Sequence, residues 1–116
     1  MPKLTLRLDF ESGERLGPGK ARLLELIAQH GSISAAGREM GMSYRRAWLL
    51  VDSLNRTFEA TVVESRPGGR GGGGASLTTL GESIVSHYRA MEREATRALS
   101  KPLRALDKAA GENTNP

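Results

Sequence analysis

Apolar residues recur along the chain with two periods, and the longer-period pattern predicts most of the structure. From Thr78 to about Ser100, Leu80, Ile84, Tyr88, Met91, Ala95 and Leu99 fall on one stripe about 100° wide, which is the mark of an amphipathic helix. About 22 residues would make this helix some 33 Å long, more than a small core can cover, so its distal half calls for a partner. A second helix is predicted to begin at Ser43 and reach Phe58, with Ala47, Leu50, Val51, Leu54 and Phe58 on its inward arc. Its outer side carries Arg45, Leu49, Asp52 and Arg56, with Arg46 on one flank, Trp48 on the other and Tyr44 in the first turn. Trp48 reads as a residue at the edge of the core. A third helix is expected from Pro18, a favoured first helical residue, to His30 before Gly31. Its Leu23, Leu24, Leu26, Ile27 and Ala28 span roughly 200°, wider than one core contact needs, so a dimer contact is expected there. The alternative is that Leu26 is a singly exposed leucine.

The shorter period appears at the start, where Leu4, Leu6, Leu8 and Phe10 alternate with Lys3, Thr5, Arg7 and Asp9. This is the pattern of a strand with one buried face. ESGERLG then reads as a polar loop, so the strand is expected to pair near the later β-prone segments or with a partner subunit. Those segments are Thr61–Glu64 and Leu77–Thr78, on either side of SRPGGRGGGGAS. Six of the seven residues from Gly68 to Gly74 are glycine, which excludes helix and packed core and makes this a hairpin tip.

Between the helices from Pro18 and from Ser43, Ser34 is expected to cap a short helix from Ala35 to Met40, Ala35 and Ala36 provide small side chains for a close crossing, and Gly41 turns the chain. Two helices joined by a tight turn, the second bearing arginines in its first turn, form a helix-turn-helix. Such a helix can enter the DNA major groove, where arginine bonds guanine and an exposed leucine touches a thymine methyl. The following hairpin completes a wing, with Arg66 and Arg70 bringing charge to phosphates or the minor groove. The candidate DNA-binding residues are therefore Ser32, Ser34, Ser43, Tyr44, Arg45, Arg46, Leu49, Arg66 and Arg70, with Lys20 and Arg38 as weaker phosphate contacts. The candidate dimerisation residues are Leu23, Leu26, Ile27, Ile84, Tyr88, Met91, Ala95 and Leu99. Arg89, Arg93 and Arg97 line up one turn apart and read as solvated.

Composition narrows the function without deciding it. The 116 residues suit one domain, and a net charge of +4 with 17 basic and 13 acidic residues favours a polyanionic partner weakly. The absence of cysteine excludes disulfides and thiolate metal sites and fits a reducing cytoplasm. No apolar run reaches the roughly 18 residues of a membrane span. His30 and His87 have no ligand-spaced neighbours, and no catalytic set is visible, so no enzyme is expected. The glycine run lacks the Lys-Ser or Lys-Thr pair of a nucleotide-binding loop. An RNA-binding Gly-Arg segment remains an alternative reading of the wing, as does a protein-interaction module that pairs with a separate sensor subunit.

GSISAAGREMGMSYRRAWLLVDSLN followed by GGRGGGGASLTTLGE resembles the N-terminal DNA-binding domain of the molybdate-responsive ModE-type regulators, itself similar to the helix-turn-helix of LysR-type regulators. The most specific parts are Met42-Ser43-Tyr44, Ala47-Trp48, and the glycine-rich wing leading into Leu77-Thr78 and Gly81. The resemblance covers about Leu4 to Leu99 and implies a homodimer on a palindromic duplex, held by the first and last helices. The family's C-terminal oxyanion-binding domains have no counterpart in these residues, so no cofactor is expected, molybdate and tungstate included. The expectation is a mainly α winged helix-turn-helix over residues 1–100, acting as a sequence-specific transcriptional regulator. Residues 101–116 are expected to be a short extension, broken from the helix by Pro102 and disordered from Ala109 onward.

Overall fold

The computed structural model describes residues 2–67 and 73–111. The elements run β1 (Leu8–Asp9), β2 (Arg15–Leu16), α1 (Pro18–His30), α2 (Ile33–Glu39), α3 (Tyr44–Thr57), β3 (Val63–Arg66), β4 (Gly74–Leu77), α4 (Thr79–Ala98) and α5 (Ser100–Ala110). Helix α1 is the hub, packing against α2, α3, α4 and β4. Its wide apolar arc is therefore used up inside one chain: Leu23, Leu24, Leu26 and Ile27 are all buried, while Ala28 faces solvent. This corrects the expectation that Leu23, Leu26 and Ile27 meet a second copy. Strand β2 packs on α1 as well, so its extra apolar surface is covered by five neighbouring elements.

The same correction applies to the proximal half of α4. Ile84 and Tyr88 belong to the core, and the Tyr88 hydroxyl donates to the Leu6 carbonyl at 2.7 Å, tethering the N-terminal segment. Further along, Met91 packs on the core edge, Ala95 is half-buried and Leu99 is exposed. Arg89 is not solvated either. It bridges Glu25 of α1 at 2.8 Å and Glu92 at 2.7 Å, and its guanidinium lies 5.6 Å from the Tyr88 ring.

The alternating N-terminal segment does turn Leu6, Leu8 and Phe10 to the core, but its strand partner lies in the segment read as loop. Leu8 pairs with Leu16 and Asp9 with Arg15 in a hairpin closed by the Gly13 N–H on the Phe10 carbonyl at 2.9 Å. Phe10 meets Phe58 edge-on at 5.6 Å, fastening this hairpin to the end of α3. The sheets are thus two separate antiparallel pairs, β1-β2 and β3-β4.

At the C-terminal end the expected break falls one turn before Pro102. Proline has no N–H for the Ala98 carbonyl, and the chain steps out of helix at Leu99 before α5 begins. Helix α5 then runs through Ala109 and Ala110 to Gly111, which corrects the disorder expected from Ala109; residues 112–116 lie outside the described residues.

Candidate nucleic-acid interface

Helix α2 starts two residues earlier than expected. Ser32, not Ser34, is its cap, accepting the Ala35 N–H at 3.1 Å, and the Ser34 hydroxyl instead accepts from Arg38 at 3.2 Å. Burial of Ile33 explains the shift, since that side chain reaches the core only from the first helical turn. The turn that follows has Gly41 at φ 72°, and the Met42 N–H closes on the Gly37 carbonyl at 2.9 Å. Gly37, more than Ala35, sets how closely the helices cross: a β-carbon there would lie 2.9 Å from that of Ala47.

Ser43 caps α3 through the Arg46 N–H at 3.1 Å. Ala47, Val51 and Leu54 fill the core, with Leu50 and Phe58 packed at its edge. The opposite surface stands in solvent, with Arg45 and Arg46 exposed, Tyr44 57% exposed, Leu49 46% and Trp48 47%. Trp48 thus stands out on the surface instead of lying at the core edge. Lower on the helix, Arg56 pairs with Asp52 at 3.0 Å. Lys20 is turned inward, donating to the Arg15 carbonyl at 2.7 Å and Ser53 at 2.8 Å, while Ser53 donates to Glu14. That bond holds the Glu14 carboxyl below the usual glutamate range, helped by Arg56 and Lys20, and partial burial lowers Lys20. The weaker phosphate reading of Lys20 is corrected accordingly: two of its three donors are engaged at the junction between the N-terminal hairpin and α3.

The wing strands run further toward the glycine tip than expected, pairing Val63 with Leu77 and Arg66 with Gly74. Three anchors fix the wing to the helices. Asn55 Oδ1 accepts the N–H groups of Val62 at 2.8 Å and Val63 at 3.1 Å. The Thr78 hydroxyl donates to the Thr61 carbonyl at 2.6 Å while accepting from the Gly81 N–H. The Ala75 N–H donates to the Gly31 carbonyl at 2.9 Å, at the end of α1. Arg66 lies exposed on the outer strand, its guanidinium folded over Gly74; Arg70 lies outside the described residues.

Together these elements enclose an open cleft of about 560 Å³, lined by Ser32, Ser34, Tyr44 and Arg66 among others. Four of the expected contact residues therefore line the cleft, Ser32, Ser34, Tyr44 and Arg66, and Arg45 and Arg46 follow Tyr44 in the first turn of α3. Its chemistry is that of hydroxyl and guanidinium donors around an aromatic ring, suited to an extended anion with flat, polar edges. Gly37 carries no signal of its role in the sequence, and Trp48, like Ser34 and Lys20, is placed otherwise than expected. For Trp48 the helical angle alone, midway between Tyr44 and Asp52, pointed outward.

The profile of the bacterial regulatory helix-turn-helix proteins of the LysR family matches residues 19–82, from α1 into α4. The chain is also 44% identical over 94 residues to the molybdenum-pterin-binding protein MopA of Rhodobacter capsulatus, covering 81% of this chain and 36% of MopA. It is 38% identical over 106 residues to the molybdenum transport protein ModE of Azotobacter vinelandii, covering 91% and 39% respectively. Against the DNA-binding transcriptional dual regulator ModE of Escherichia coli K12 it is 41% identical over 86 residues, 74% of this chain and 33% of that protein. The chain thus spans a little over a third of the length of the relatives it matches. With its winged helix-turn-helix and this match across more than half its residues, the chain belongs to the LysR family of bacterial regulatory helix-turn-helix proteins.

Proposed function

We propose that this chain binds duplex DNA in a sequence-specific way and acts as a transcriptional regulator, as a homodimer on a palindromic site. The observation that carries the reading is the division of α3: one side fills the core, and the other presents Tyr44, Arg45, Arg46 and Leu49 to solvent beside the wing cleft. A helix about 10–12 Å across matches a major groove of about 12 Å. Arg45 and Arg46 read base edges, and Leu49 takes an apolar contact. Ser32 and Ser43 use their oxygens as helix caps, which leaves each O–H free to donate to a phosphate, and Ser34 and Arg66 add donors across the cleft. The molybdenum in the relatives' names belongs to those longer proteins and is not carried over.

The test is binding of labelled genomic duplexes to the full chain at several salt concentrations, beside single-stranded RNA of equal length. Preference for particular duplexes, with affinity falling log-linearly as salt rises, is the expected result. Equal binding to all duplexes, or tighter binding to the RNA, contradicts the proposal.

A further inference from the structure

The flank of α3 that turns toward the wing carries an aromatic surface that the ionic contacts leave unexplained. Tyr44 and Trp48 are 57% and 47% exposed, one helical turn apart. Asn55, two turns beyond Trp48 on the same flank, bonds the root of the wing, and Tyr44 lines the cleft. Tyr44 therefore overlooks the gap between α3 and the wing, and Trp48 stands between it and Asn55 along the same flank. The chain has one tryptophan and leaves it half in water, although burying such a ring would add to a modest core. Leu49, 46% exposed, adds a separate apolar side chain on the outer side of α3.

The surroundings narrow down what covers this surface. Arg45 is exposed beside Trp48 and Arg66 lines the cleft that Tyr44 also lines, while the nearest carboxylate on the helix, Asp52, is taken up by Arg56 at 3.0 Å. Apolar rings framed by cations fit a duplex, whose phosphates meet the arginines and whose one apolar feature in the major groove is the thymine methyl. Resting on the reading of α3 as the groove helix, we propose that Trp48, with Tyr44 beside it, is a specificity-determining contact that reads thymine methyl groups on the wing side of the site.

The single tryptophan gives the test a direct readout. A duplex recovered from a random-sequence pool by repeated selection on the full chain carries a terminal dye, whose anisotropy reports binding while Trp48 emission reports the contact. Trp48 emission is expected to shift on saturation and its quenching by acrylamide to fall. Replacing thymines singly by deoxyuridine, which removes only the methyl, is expected to weaken wild-type binding about fourfold at one or two positions. In Trp48→Ala, checked for folding by circular dichroism, those replacements should change affinity less than about twofold, with Trp48→Phe between the two. A duplex that binds while Trp48 emission and quenching stay unchanged, or a Trp48→Ala variant that keeps the full methyl sensitivity, overturns the assignment and leaves DNA binding standing. Failure to enrich any duplex overturns the groove reading, and the role of Trp48 with it.

Discussion

At the scale of single residues, the wing's position depends on a few atoms that leave no slack. A β-carbon at Gly81 would lie 2.4 Å from the Val62 carbonyl oxygen, and that oxygen already accepts the Thr78 N–H at 3.0 Å. Gly81→Ala must therefore push the wing root off α4, at a cost of about 1–3 kcal/mol of overpacking, read as a lower thermal midpoint. An unchanged midpoint would mean that the backbone yields there without strain. Asn55→Ala acts from the other side: it strips the acceptor from two backbone N–H groups of buried residues, Val62 and Val63, at about 1–3 kcal/mol. Asn55→Asp keeps the acceptor and should recover most of the loss in urea unfolding; if both variants unfold alike, the accepted bonds are not what holds the wing. These anchors could not be read in the sequence, because Asn55 and Gly81 matter through a carbonyl and two amides brought to them by the fold. The outward arginines could be, since helical angle alone separates Arg45 from Ala47.

At the scale of elements, helices α1, α3 and α4 were legible from their period, whereas α5 was not and neither was what covers each apolar face. Helix α1 looked over-supplied with leucine because a sequence does not reveal that α2, α3, α4 and β4 all converge on it. The N-terminal alternation likewise gave the buried face and not the partner, since the Arg15–Leu16 strand is too short to show a pattern. Recognition helix and wing should be separable in binding. Arg45→Ala should cost about 1–3 kcal/mol on the selected site and relax preference at one position, while Arg66→Ala should weaken all duplexes alike and reduce the salt slope by about one. Parallel losses in selected and random duplexes for both variants would contradict that division. Helices α1 and α4 are joined by Glu25 and Arg89, and the bond from Arg89 holds the Glu25 carboxyl below its ordinary 4.5. A depressed folded-state value stabilises the fold above the ordinary one, and that contribution fades as pH falls from about 4.5 through the folded-state value. Urea midpoints should drop over that acidic window in wild type and less steeply in Glu25→Gln, which has no carboxyl to protonate; identical slopes would remove Glu25 from the acid response.

At the scale of the whole molecule, the shape is what the core cannot explain. The chain measures 58 × 36 × 23 Å with a radius of gyration of 17.4 Å, against about 13 Å for a compact chain of this length. The excess lies in the distal half of α4 and in α5, none of whose residues is buried. An isolated helix shorter than about 12–15 residues is marginal in water, yet α5 has only 11 residues; Leu103 and Leu106 lie on one side of it in line with its cap residue Leu99, with Leu99 43% and Leu106 67% exposed. A leucine stripe on a projecting arm needs a matching apolar surface, and a second copy supplies one under a two-fold axis with no new sequence. Such a pairing also fits DNA, where two recognition helices would meet major grooves about one helical turn, 34–36 Å, apart. If the chain pairs with a second copy, the distal residues Ala95, Leu99, Leu103 and Leu106 would form the seam, in place of the buried Leu23, Leu26, Ile27, Ile84 and Tyr88. Leu103→Asp with Leu106→Asp should convert a dimer to a monomer in sedimentation velocity at micromolar concentration. The unfolding of the core should stay nearly unchanged, and binding to an inverted repeat should drop to that of a single half-site. A wild-type chain already monomeric at that concentration, or a double variant that still sediments as a dimer, would locate the missing cover of α5 somewhere other than a second copy.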